Sequence, residues 1–483
     1  MKSGGAVNVD SFDKRERNAV LLILCVGLLF TGVNFFTGYS ADPDGYYITE
    51  KALAIRTDGF QRSRSFGFPL YELPVYLIIF YLGRTAGKFY SLFWYLASGI
   101  LLFSILRKLK VDPDRACLAA LSFMVMPVAV ISGNSIMETS QGLSLALLSL
   151  YYFICLMESD SAPPSFTIYL MAISVGLATS TRLDYAILGI SCGLTLSLHK
   201  RFPRITFVYA CLVGLLVALL PYAGLYGWST FSKPSVVIPD PLSRKLIRAL
   251  FGVVALFGIP GFFMAVVAVG RCLIVKTGFV KPYLRFFFIV AVVLLAVRFV
   301  ILPDVLRYII ILPALVILLM VRTVSKKILW LFVFAMALPN FVQFHLFRRD
   351  QNNFEIYLSP GFSPGALWQE RSGRLKQEYL FLELPVLLDQ VADRFGCKSY
   401  LPRLSLIKGV EYLNRFDCLI IPNEVRRFLK PGRLHNMFSG LKPRVIVYNI
   451  PDHRGWSQFF RHEDWTKIGL DDFKEIQPGH PEG

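Results

Sequence analysis

Apolar runs of about 15 to 22 residues, each long enough to cross a hydrocarbon layer, recur through this chain from residue 19 to about residue 344. A helix rises about 1.5 Å per residue, so such a run reaches across the roughly 30 Å of a bilayer core. Eleven candidate spans follow one another at 19–38, 88–106, 116–133, 141–157, 166–181, 183–198, 205–224, 248–270, 286–302, 308–321 and 328–344. Only 17% of the 483 residues are charged, against roughly a quarter in soluble domains, so the chain has too little polar surface for a water-exposed fold. The expected fold class is mostly α, a polytopic transmembrane helical bundle. Segment 69–83, "PLYELPVYLIIFYLG", is short and carries two prolines, and it reads as re-entrant or interfacial. No small-residue cleavage site follows the first run at "FFTGYS", which reads as a retained helix.

The net charge of +18 invites a nucleic-acid reading, but its placement argues against one. Residues 348–483 hold 20 Lys/Arg against 17 Asp/Glu, so most of the surplus lies in the N-terminal segment and the membrane loops. Loops such as "RKLKVDPDR", "HKRFPR", "GRCLIVKTGFVKPYLR" and "RTVSKK" are basic, as cytoplasmic loops are. The acidic loop "ESDSAPPS" (158–165) is an exception, and the first outer loop also carries several basic residues. On this phase residues 1–18 are a cytoplasmic segment, 19–344 the membrane domain with a first outer loop at 39–87, and 345–483 an extracytoplasmic domain. That last region is richer in charge, Pro and Gly. Runs such as "DCLIIPN" (417–423) and "RVIVYNIP" (444–451) read as buried strands, while 384–395 and 423–430 read as helices, giving a small α/β domain. Six of the eight cysteines fall in or beside apolar runs and read as small core residues. Cys397 and Cys418 lie in the polar region and can pair if it faces an oxidising compartment.

Two carboxylates, Asp42 and Asp44, stand where the first run ends, in "YSADPDGYYITEKALAIRTDGF" (39–60). After them Tyr47, Ile48, Ala52, Leu53 and Ile55 recur at helical spacing with Thr49, Glu50, Lys51 and Arg56 opposite, the pattern of a helix on a membrane surface. An N-cap accounts for one aspartate but not for both. Glu138 falls in "SGNSIMETSQGL" (132–143), Arg182 and Asp184 in "TSTRLDYAIL", and Asp304, Arg307 and Tyr308 in "ILPDVLRYIIILP". The span count puts all of these turns on the side where Asp42 and Asp44 emerge. Ionisable residues at membrane depth are costly and usually mark function, although Arg182 with Asp184 also reads as a plain local ion pair. Arginine suits phosphate through its planar fork, and a carboxylate can take the proton from a hydroxyl that attacks a sugar carbon.

The order of these motifs resembles that of the C-type (GT-C) membrane glycosyltransferases, of the dolichyl-phosphate-mannose protein mannosyltransferase and aminoarabinose transferase type. "DPDGYYITEKALA" is similar to the family's first-loop acidic motif, and "RSFGFPLYELPVYL" to the Pro-Leu-Tyr segment after it. "ATSTRLDYAILGI" resembles a Thr-Arg-Pro-Glu stretch, with Leu183 and Asp184 as departures, and "LPDVLRYIIILPAL" a late Arg-Tyr stretch that ends in Pro. The resemblance covers about residues 15 to 345. It implies Asp44 as the essential first-loop acid, with Asp42 as the alternative alignment, and Glu138 as a second acid. Arg182 and Arg307 would hold a lipid-linked phosphate, with Tyr46 and Tyr308 also at the substrate. Some members bind a divalent metal (Mg or Mn) at the first-loop acids, here Asp44 with Glu138, and others bind none. No histidine cluster demands one, so no obligatory cofactor is expected.

The leading expectation is an inverting glycosyltransferase that moves a sugar from a polyprenyl-phosphate donor to a hydroxyl of a lipid, glycan or protein. It would act at the outer face, in a bacterial inner membrane more readily than in the endoplasmic reticulum. A transporter or flippase for a lipid-linked or anionic solute is the alternative. Inverted repeats and paired broken helices would favour transport, and the sequence shows neither. Membrane lipids are expected partners and nucleic acid is not.

Overall fold

Proline sets many of the helix starts. A proline in the first turn gives up no hydrogen bond there, and its fixed φ suits the helix. Pro43, Pro69, Pro113, Pro127 and Pro282 each open a helix in the computed structural model. The structure describes residues 14–63, 67–159, 165–198, 203–227, 241–274, 281–301, 306–343, 346–347, 357–358, 363–364, 366–401, 414–422, 443–448 and 469–476. The predicted helix at 423–430, most of the loop at 158–165 and Asp304 lie outside them.

The chain divides into two compact units, residues 1–371 and 372–483. The first holds α1 (Lys14–Phe35), α2 (Pro43–Leu53), α3 (Ile55–Asp58), α4 (Pro69–Leu82), α5 (Arg84–Lys108), α6 (Pro113–Met124), α7 (Pro127–Asn134) and α8 (Thr139–Glu158). These are followed by α9 (Ser165–Thr181), α10 (Ala186–Leu198), α11 (Arg204–Tyr226), α12 (Leu242–Ile274), α13 (Pro282–Ile301), α14 (Ile311–Met320) and α15 (Lys326–Ala337). Among the described residues, six helices are long and apolar enough to cross a membrane, each overlapping one of the eleven expected spans. A seventh arises if α6 and α7, bent by 70°, count as one. The expected span 116–133 is that bent pair, because Pro127 cannot donate into the preceding turn. α9, α10 and α14 are apolar but shorter. In α12, Gly258 at φ 67° breaks the helix just before Pro260, a conformation that favours glycine.

Ion pairs mark one end of the bundle. Arg107 at the close of α5 meets Glu16 at the start of α1 at 2.7 Å, and Lys326 meets Asp114 at 2.6 Å. Lys281 and Glu158 join α13 to the end of α8 at 2.6 Å. The opposite end carries the turns after α1, α7, α9 and α13. Close packing holds the helices between: Gly176 of α9 faces the Gly214 carbonyl of α11, and a Cβ added there would lie 2.5 Å from that oxygen. Glycine is what lets two backbones approach so closely.

Segment 69–83 is α4, which stays at the second end and does not cross. Its first turn reaches Tyr226 at the close of α11, and its last packs on Gly87 at the opening of α5. Ile48 and Ala52 of α2 bury against Tyr71, Val75, Tyr76 and Ile79 of α4. The helix read as amphipathic therefore spends its apolar face on a neighbouring helix.

Beyond α15, short antiparallel pairs join β1 (Val342–Gln343) to β4 (Ser363–Pro364) and β2 (Leu346–Phe347) to β3 (Tyr357–Leu358). α16 (Ala366–Glu378) follows, and its first turn belongs to the membrane unit. The second unit carries α17 (Leu384–Arg394) and a four-stranded sheet of β5 (Tyr400–Leu401), β6 (Cys418–Pro422), β7 (Arg444–Tyr448) and β8 (Lys474–Ile476), in that order. The first three strands are parallel and β8 is antiparallel. Leu384, Leu388, Val391 and Ala392 of α17 cover Cys418, Ile420, Ile446 and Tyr448. The helix from Leu384 and the strands near 418 and 444 are those expected from their patterns. Cys397 and Cys418 form a disulfide with their Cα atoms 5.8 Å apart.

Candidate active site

The Asp-Pro-Asp sequence folds as a helix start. Asp42 is the N-cap of α2, and its Oδ1 accepts from the Asp44 amide at 2.9 Å, while its own amide donates to Ser40 Oγ at 3.0 Å. The cap uses Asp42 and leaves Asp44, in the first turn, with its carboxylate directed elsewhere. That direction is Arg307, in the 3-10 turn Leu306–Ile309 between α13 and α14. Its Nη1 donates to Asp42 Oδ2 at 3.1 Å and its Nη2 to Asp44 Oδ2 at 2.8 Å. All three side chains are only 10–13% exposed. One guanidinium thus bridges both first-loop acids.

The turn after α7 runs alongside. The Ile136 amide donates to the Tyr39 carbonyl at 3.1 Å, and Met137 Sδ lies 3.4 Å from Arg307 Nη1. The next residue, Glu138, is fully buried and accepts from Arg182 Nη1 at 3.1 Å. Arg182 Nη2 donates to Asp184 Oδ2 at 3.3 Å, and Asp184 Oδ1 accepts from Arg298 Nε of α13 at 2.7 Å. The local pair expected between Arg182 and Asp184 exists, and it is one rung of a longer ladder in which acids and arginines alternate.

The structure brings Asp42, Asp44, Glu138, Arg182 and Arg307 to one end of the bundle. Tyr46 is 3% exposed; its ring packs edge-on to Tyr39 and its hydroxyl accepts from the Tyr39 amide at 3.4 Å. The Tyr308 side chain lies outside the described residues.

Four charged residues at this end escaped the sequence reading. Glu72 of α4 is fully buried and accepts from the Ser63 hydroxyl and the Tyr226 hydroxyl. Lys88 of α5 donates to the Phe35 and Thr37 carbonyls, closing the C-terminal end of α1 where a cation suits the dipole. Glu370 and Arg298 complete the set. A carboxylate inside "PLYELP" and an arginine inside "LLAVRFV" were visible signals of cost at membrane depth.

A divalent ion needs several converging oxygen donors. Among the described residues no three His, Cys, Asp or Glu side chains converge, and the outward oxygens of Asp42 and Asp44 face a guanidinium. The Arg307 guanidinium stands on the face of Asp42 and Asp44 where a divalent ion bound to these acids would sit.

No family model matches the sequence, and no curated protein matches it significantly. Solved structures do match. ArnT from Cupriavidus metallidurans bound to undecaprenyl phosphate aligns at TM-score 0.51 and 13% identity, over 78% of this chain and 73% of that one. Its apo form aligns at 0.48 and 14%, over 64% of this chain and 61% of that one, so this chain spans under two thirds of the length there. The S. cerevisiae protein O-mannosyltransferase Pmt1-Pmt2 complex, bound to its sugar donor, aligns at 0.32 and 14% over 44% of this chain and 33% of that one. The chain is an integral multi-pass membrane protein whose fold is similar to that of ArnT, one of the types its motif order resembled.

Proposed function

We propose that this protein is an inverting glycosyltransferase that takes a sugar from a polyprenyl-phosphate donor to an acceptor hydroxyl. One observation carries the reading: a single arginine, Arg307, bridges two first-loop carboxylates at the end of a GT-C bundle. The similar ArnT structure holds undecaprenyl phosphate, a ligand of the class an arginine fork suits.

In this mechanism Asp44 accepts the proton of the acceptor hydroxyl as its oxygen attacks the anomeric carbon. The carbon–oxygen bond to the phosphate breaks in the same displacement, and polyprenyl phosphate leaves with the electron pair. Arg307 and Arg182 take the phosphate, and Tyr46 and Tyr308 flank the substrate. Arg307 cannot serve two carboxylates and a phosphate equally. Seating the phosphate draws the guanidinium away from Asp44 and frees the base in the same movement. Glu138 holds Arg182 in place.

The reaction side is extracytoplasmic. Lys14, Arg15, Arg17, Arg107, Lys108, Arg322, Lys326 and Lys327 crowd the end of the bundle opposite the site, which the positive-inside bias assigns to the cytoplasm. The Cys397–Cys418 disulfide supports an oxidising compartment for the C-terminal unit, as in a bacterial periplasm.

The test is incubation of purified protein with radiolabelled polyprenyl-phosphate sugars and mixed lipid, glycan and peptide acceptors, with and without a chelator. Release of polyprenyl phosphate with formation of a labelled, anomerically inverted product, unchanged by chelation, is expected. Protein-driven movement of labelled lipid across vesicles with no product would overturn the reading in favour of transport.

A further inference from the structure

Glu370 is the charged residue at the site that no local pattern announces. It is the fifth residue of α16, after the last membrane helix, yet it is 1% exposed. Its Oε1 accepts from the Ala41 amide at 3.3 Å and from Ser135 Oγ at 3.5 Å. Ala41 immediately precedes Asp42, and Ser135 opens the turn that ends at Glu138. One carboxylate oxygen therefore touches both acid-bearing loops. The same helical turn is seated independently, since Asn34 Nδ2 of α1 donates to the Leu367 carbonyl at 2.6 Å.

Burying a carboxylate is costly unless hydrogen bonds satisfy it, so a glutamate here is a poor choice for merely docking a helix. A leucine or methionine on the same apolar seat beside Ala366 and Leu367 would dock it more cheaply. What the carboxylate adds is an acceptor that can take two donors from two separate loops. Asp42 is only one peptide unit from that bond, and its cap, its Ser40 contact and its Arg307 contact all depend on how the backbone at 41–42 is turned.

We propose that Glu370 is a positioning residue: it clamps the Asp42–Asp44 loop to the Ser135–Glu138 loop and so sets the geometry in which the first-loop acids act. The inference rests on the glycosyltransferase reading for its catalytic consequence, and on the hydrogen bonds alone for the clamp. Glu370 does not touch substrate in this scheme.

Two variants separate the clamp from the charge. Glu370→Gln keeps a carbonyl acceptor for both donors, whereas Glu370→Ala removes it; Ser135→Ala cuts one arm alone and covers the case in which Glu370→Ala does not fold. Hydrogen exchange of peptides covering 39–45 and 135–142 is measured on the full chain in detergent, with no substrate, beside kcat and KM for the donor. In Glu370→Ala both peptides exchange faster and kcat falls by about 10²-fold, as a misplacement near 1 Å can cause, while donor KM holds. Glu370→Gln restores most of kcat and the protection, and Ser135→Ala loosens 135–142 with a smaller loss of kcat. Unchanged exchange in both peptides, or faster exchange with unaltered kcat, overturns the proposal. A wild-type protein that turns over no polyprenyl-phosphate sugar defeats the glycosyltransferase reading instead, and the exchange data still decide whether the clamp exists.

Discussion

Replacing Asp44 or Asp42 by asparagine separates cap from base within one three-residue motif. Asparagine caps a helix about as well as aspartate, so Asp42→Asn keeps the bond to the Asp44 amide at a cost of a few tenths of a kcal/mol. Either substitution turns one ion pair of Arg307 into a hydrogen bond from the guanidinium to a neutral amide oxygen. The bond keeps its charged donor, so what is lost is the Coulombic part of one pair at 10–13% exposure, about 1 kcal/mol of stability. Arg307 keeps its second carboxylate in each single variant, which rules out the larger penalty of a stranded buried charge. The catalytic effect has another scale. Removing a general base costs about 10²- to 10⁴-fold in rate, or about 3–5 kcal/mol of barrier. Turnover of a polyprenyl-phosphate sugar, thermal stability and expression are measured together. The expected result is a folded Asp44→Asn protein with turnover lost by at least two orders of magnitude, and an Asp42→Asn protein impaired far less. If Asp42→Asn is the dead variant and Asp44→Asn is active, the base is Asp42 and the motif is shifted by two residues. Near-full turnover in both refutes the mechanism.

A reporter fused after residue 345 is active only in its exported form; cytoplasmic activity there removes the common outer face on which the site depends. Non-reduced peptide mapping finds Cys397 linked to Cys418, and Cys397→Ser lowers the stability of the C-terminal unit by about 3 kcal/mol for a sequence separation of 21 residues; two alkylated thiols in native protein refute the bond. Arg182→Met destabilises the membrane unit by about 3–5 kcal/mol, because buried Glu138 loses its guanidinium. Adding Glu138→Gln to that variant restores most of the melting temperature but not turnover, and recovery of turnover would make the pair purely structural.

The bundle was legible where one helix declares its own limits. Asp42 was one of two candidate caps for α2; of its expected apolar face Ile48 and Ala52 are buried, while Leu53 is exposed and Thr49, expected opposite, is buried, because α4 and not lipid covers the helix. Span 116–133 hid a 70° bend because its hydropathy is continuous across Val125 and Met126, and only Pro127 signals the break. The spans at α9, α10 and α14 show the limit of hydropathy as a ruler. Apolar composition does not fix how far a helix extends: α10 leaves Ile190, Leu194 and Leu198 exposed yet is 13 residues long.

The site was legible as a set of residue types and illegible as a set of partners, because its bonds link loops far apart in the chain. Arg307 was expected to meet a phosphate; that it also bridges Asp42 and Asp44 depends on the turns after α1 and α13 meeting at one end of the bundle, 263 and 265 residues apart. Glu370 reaches Ala41 across 329 residues and sits in a polar helix where a glutamate attracts no notice. Charge alternation gives this end a physical logic that single motifs do not carry. Arg307 serves two acids, Arg182 serves two acids, and Asp184 serves two arginines. Each charge of these ion pairs is thereby compensated, and on the proposed function an incoming phosphate takes the place of a carboxylate at Arg307 or Arg182. A structural salt bridge needs only one partner of each sign. A ladder in which Arg307 and Arg182 are each shared between two acids holds both cations oriented and, on the proposed function, exchangeable where the lipid-linked anion is to bind. That combination is what an enzyme handling a lipid phosphate requires of its resting state.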